Sequence, residues 1–168
     1  MTNPELLGLL TEFSADRLTL LQRHEAGARV AAHYDFNNTY QYVIAREETQ
    51  LTWLASALAQ MGAELPPAGD RMLVPEVQPY GKTARPEGCR ALLDDDERRL
   101  AAFVEHWRPR LASVSHARHR KMLEVIVGES LEHRRLFGQA AAGFEDVLGH
   151  RMSDGQRVGG VLATRWVE

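Results

Sequence analysis

The chain has 168 residues, 44% of them hydrophobic and 26% charged, enough for one well-buried core and too few to expect two. A net charge of −3 and a pI near 6.2 provide no overall field for nucleic acid or an anionic membrane. One cysteine, Cys89, excludes an internal disulfide and has no partner spacing for zinc, and no stretch approaches the roughly 18 apolar residues of a membrane span, so a cytoplasmic single-domain protein is expected.

The first residues lack a basic region followed by an apolar core, and secretion is not expected. Asn3 followed by Pro4 is a helix start signal, and Leu6, Leu10, Phe13, Leu20 and His24 continue at helical spacing, which predicts a first helix over residues 4–32. A polar cluster (Asp35, Asn37, Asn38) then suits a short turn. Tyr40, Ile44, Glu47, Leu51, Leu54, Leu58 and Met61 alternate by four and three, the seam of a second helix over 37–62, with Gly62 as its C-terminal signal.

Residues 63–93 are rich in proline and glycine and read as a long crossover joining two helical hairpins along the bundle. The acidic run Asp94 to Glu97 favours a helix N-terminus, and Leu100, Phe103, Trp107, Leu111 and Val114 predict a third helix over 94–114, kinked at Pro109. Ser115 is the candidate cap of a fourth helix over 116–142, with Met122, Ile126, Glu129, His133, Leu136 and Ala140 on its seam. His116, Arg118, His119, Arg120 and Lys121 form a local basic run, read as its solvated start. The tail over 150–168 reads as an extended segment lying across the bundle.

Glu47, Glu129, His133 and His24 thus fall on apolar stripes. A buried carboxylate costs several kcal/mol unless compensated, so such a set points to a metal, a proton relay or a structural hydrogen-bond network. At about 1.5 Å per residue the four lie at one depth of a two-hairpin bundle. Glu129 and His133 stack one turn apart on one helix face. Glu105 flanks the core at a similar level, Gln50 follows Glu47 by one turn, and Tyr40 shares its seam; these three are candidate supporting residues.

Arg46-Glu47-Glu48-Thr49-Gln50-Leu51 and Gly128-Glu129-Ser130-Leu131-Glu132-His133 resemble the second and fourth helices of ferritin-like and rubrerythrin-like proteins. The resemblance implies an all-α, ferritin-like four-helix bundle in which each half supplies a glutamate and a Glu-x-x-His to two iron or manganese ions. Here the histidine of the first motif is Gln50 and the glutamate of the second is Ser130. The implied centre is therefore reduced: one ion, at most two, of iron, manganese or zinc, held by Glu47, Glu129, His133 and His24, with oxygen- or peroxide-linked redox chemistry.

Two other readings stand beside it. The second-helix seam can be rotated so that Val43 and Gln50 face inward and Glu47 outward, and Glu129 and His133 can brace the bundle as a hydrogen-bonded pair. The chain would then be a metal-free interaction module with a structural polar core. No nucleophile elbow, P-loop or dinucleotide fingerprint is present. Neither nucleic acid nor membrane is an expected partner; a homodimer is compatible with a helical bundle, and the sequence does not fix the stoichiometry.

Overall fold

Thr2 starts the first helix. Its hydroxyl accepts from the Glu5 N–H while the Glu5 carboxylate accepts from the Thr2 N–H, a capping box that leaves Pro4 harmless in the first turn. The cap is therefore one residue earlier than Asn3. The computed structural model describes residues 2–31, 33–68, 86–144 and 147–149. These form four helices, α1 (Asn3–Val30), α2 (Tyr34–Ala59), α3 (Pro86–Leu111) and α4 (Ala117–Ala141), with no strand among the described residues.

Gly62 and Gly143 close α2 and α4 in the same way. With φ of +78° and +88° they adopt the left-handed conformation that glycine tolerates best. In each case the glycine N–H and the next residue's N–H bond back to the last helical turn, satisfying carbonyls the helix leaves open.

The third helix begins eight residues before the expected position. Cys89, Leu92 and Leu93 are buried, so the apolar stripe reaches back past the acidic run, and a proline at the first helical position does not break a helix. Asp94 to Glu97 consequently lie inside α3 instead of at its N-terminus. Pro109 sits in the last turn, and the helix ends two residues later. The cap of α4 is His116, whose Nδ1 accepts from the His119 N–H at 3.4 Å, in place of Ser115. Of the expected crossover, residues 69–85 lie outside the described residues, as does the tail over 150–168.

Packing pairs α1 with α2 and α3 with α4, and sets α2 against α4 and α1 against α3. Phe13, Phe103 and Trp107 interlock edge to face between α1 and α3, with Phe13 centred 5.3 Å from Phe103 and 4.8 Å from Trp107. The Trp107 indole donates to Asp16 at 2.9 Å. Tyr40 from α2 and Phe137 from α4 meet at 4.9 Å, and a Cβ on Gly27 would come within 2.8 Å of the Tyr40 ring. Gly27 is the gap in α1 that admits this tyrosine. No helix among the described residues is long and apolar enough to cross a membrane.

Candidate functional site: a buried ion network

Leu6, Leu10, Phe13, Arg17, Leu20, His24 and Gly27 recur by four and three along α1, and all are buried. Arg17 is therefore a seam residue with 0% exposure. Its Nη2 lies 2.9 Å from Glu47 Oε1, whose side chain is equally buried. Its Nη1 donates to the Ser130 hydroxyl at 3.2 Å, and Ser130 donates onward to the Ile126 carbonyl at 2.8 Å. The guanidinium also sits 5.5 Å from the centre of the Phe103 ring. One side chain thus ties α1 to all three other helices.

His24 completes the pairing. Its Nδ1 lies 2.9 Å from both oxygens of Glu47 and acts as donor, because an ionised carboxylate only accepts. Burial pushes the Glu47 carboxyl upward, but Arg17 and then His24 outweigh it and hold the group below the usual carboxylate range. Burial likewise lowers Arg17, opposed by Glu47 and Glu129. An arginine remains cationic in proteins, so Arg17 and Glu47 balance in charge.

His133 is 1% exposed, and its pKa is pushed down to about 4, chiefly by burial and next by Arg17, against the pull of Glu47. The ring is neutral at pH 7. Among the described residues its Nδ1 has no hydrogen-bond partner, and neither do His24 Nε2 and Gln50 Oε1, all buried. Polar atoms so enclosed usually take a bridging water or a ligand.

Glu129 does not share this centre. It stands at the edge of the α2–α4 seam, where Arg46 and the Gln50 amide both donate to it. Burial raises its pKa, and the bonds from Arg46 and Gln50 more than reverse the effect. Ser130, one residue on, takes the central position that the sequence pattern gave to Glu129. Among the described residues no three His, Cys, Asp or Glu side chains gather as a metal ion requires. A six-ligand di-metal set does not fit these residues: a guanidinium lies on Glu47, and a serine stands where α4 would bring a second carboxylate.

A second buried layer is built on Arg23, six residues after Arg17 and next to His24 on α1. Arg23 Nε donates to Asp96 Oδ1 at 2.8 Å, Arg23 Nη2 lies 2.8 Å from Asp95, and the Tyr40 hydroxyl donates to the other Asp96 oxygen. Burial, reinforced by Asp96, holds the Tyr40 phenol well above its usual pKa. Tyr40 therefore serves Asp96 in place of the Glu47 cluster, and Glu105 is exposed on α3, away from both layers.

Arg17, Arg23 and Asp96 were not among the residues the sequence singled out, although Arg17 and Asp96 sit in phase with buried apolar neighbours. That phase was the available signal. No protein-family model matches the chain, and no curated protein or solved structure matches it.

Proposed function

We propose that this chain is a ferritin-like bundle whose centre is held by a built-in cation, the Arg17 guanidinium, and that it works as a binding module on a rigid polar core. The observation that carries this reading is the 2.9 Å contact between Arg17 and Glu47, both fully buried. A divalent ion on the same carboxylate would face a fixed positive charge a few ångströms away in a low-dielectric interior, which is strongly repulsive.

The ferritin-like architecture draws support from chain direction. Gln60 and Met61 at the end of α2 share a cleft with Asn3 and Pro4 at the start of α1, whereas Asp96 inside α3 pairs with Arg23 late in α1. Because Arg110 at the end of α3 pairs with Glu12 early in α1, α3 runs against α1 and starts at the far end, and a link to it from the end of α2 would be the crossover of that fold.

A second reading keeps one iron, manganese or zinc ion on Glu47, His24 and His133, with Glu129 brought inward. One observation favours it: the unpartnered His24 Nε2, His133 Nδ1 and Gln50 Oε1 are donors a cation could use. It requires Arg17 to leave Glu47. Elemental analysis of protein purified without chelator or affinity metal separates the two. Less than about a tenth of an equivalent, unchanged in Glu47→Ala, supports the guanidinium-centred bundle; near-stoichiometric metal lost in that variant overturns it.

A further inference from the structure

Where the last turns of α2 pass the first turns of α4, the two helices leave a cleft of about 260 Å³. Trp53, Ala57 and Met122 supply its apolar wall, and Arg118 and His119 its basic side. The two basic residues differ in a useful way. His119 is only 7% exposed, forms part of the wall, and has a sealed Nδ1 without a partner among the described residues. Arg118 is exposed and, among those residues, makes no ion pair, while Arg120 and Lys121 both reach toward Glu124.

Burial, then His116 and Arg118, hold the His119 imidazole below its ordinary pKa, so it is neutral at pH 7. A buried N–H without an acceptor is rarer than an under-satisfied acceptor, so the proton belongs on Nε2, leaving that nitrogen as a donor. The start of α4 adds a further attraction for negative charge. His116 accepts from the His119 N–H and Arg120 bonds to the His116 carbonyl, which leaves the N–H groups of Ala117 and Arg118 at the open end of a 25-residue helix. No acidic residue occupies that first turn.

The volume sets the ligand's size. A dry cavity of about 150 Å³ admits benzene, so this cleft has room for one ring and a small polar group. Trp53 gives the lining an aromatic ring that a second ring can pack against, and a planar carboxylate matches the fork of a guanidinium.

We propose that the cleft binds a small aromatic carboxylate, its ring against Trp53 and Met122 and its carboxylate at Arg118, His119 and the α4 N-terminus. The site is independent of the Arg17 network.

Benzoate is the probe, titrated calorimetrically into the full chain beside benzamide, its uncharged isostere, and inorganic phosphate. The proposal expects saturable benzoate binding in the millimolar range, benzamide at least about tenfold weaker, and a loss of about fivefold or more in Arg118→Gln. Arg120→Gln, whose side chain already faces Glu124, serves as the control and leaves the affinity unchanged. Because Arg118 is exposed, its variant should unfold at the same urea concentration as the parent protein, which checks that the fold is intact. Benzamide binding as tightly as benzoate, indifference to Arg118→Gln, phosphate alone binding as tightly as benzoate, or no saturable benzoate binding each overturns the proposal.

Discussion

Two glutamate–arginine pairs join these helices at nearly the same level, and they differ mainly in access to water. Arg17 and Glu47 are both 0% exposed, whereas the side chains of Arg46 and Glu129 are 37% and 26% exposed. At the rim, water screens either charge when its partner is lost. In the centre water does not reach the carboxylate, so loss of Arg17 leaves Glu47 buried with His24 alone against it. The lesson is that the polar residues of this bundle are ranked by burial, and the ranking sets the size of each expected effect.

The largest effect should come from Arg17→Met, which strands Glu47. Urea denaturation should show a loss of about 3–5 kcal/mol, with much of it recovered when Glu47→Leu is added and neither charge of the pair remains buried. A loss no greater than that of a rim variant would erase the distinction between centre and edge.

Acid comes next. His133 titrates near 6.5 in an unfolded chain and at about 4 in the bundle, so the unfolded state takes up the proton first as pH falls. The stability contributed by the neutral ring is complete above pH 6.5 and is lost progressively down to about pH 4. The shift corresponds to about 3 kcal/mol, and a His133→Gln variant should lack that part of the pH dependence between pH 7 and 4.5. Equal slopes in the two proteins over that window would contradict the buried, neutral assignment.

Tyr40→Phe sharpens the comparison from the second buried layer. Asp96 keeps Arg23 but loses the phenol, so a cost of about 1–3 kcal/mol is expected in the same denaturation assay. The smallest effect belongs to Arg46→Ala at the rim, at most about 1 kcal/mol and reduced further by salt. A rim loss equal to that of Arg17→Met would mean that the exposed pair carries more of the fold than its solvation allows.

Periodicity alone revealed the four helices, because Leu, Phe and Trp recur at spacings only a helix satisfies. It also located Glu47, His24 and His133 as buried. It failed on Arg17, which lies in phase between Phe13 and Leu20, because an arginine on a stripe is ordinarily taken as facing outward. On α4 the pattern slipped by one residue. Both Ile126 and Val127, and both Leu136 and Phe137, are buried, so the stripe is wide enough to fit Glu129 or Ser130 equally well. The early start of α3 was hidden by Pro86 and Gly88, which read as helix breakers, although proline is tolerated in a first turn. Partners across the bundle, such as Arg23 with Asp96, depend on how helices distant in sequence meet. No spacing within one helix records that.

The most direct test is a double-mutant cycle on Arg17→Met and Glu47→Gln, followed by urea denaturation at pH 7. If the guanidinium is the bundle's internal cation, the coupling energy should be about 2 kcal/mol or more, because the two charges meet at 2.9 Å and both are fully buried. A coupling below about 0.5 kcal/mol would show that Glu47 is balanced by something else, and the guanidinium-centred account would fall.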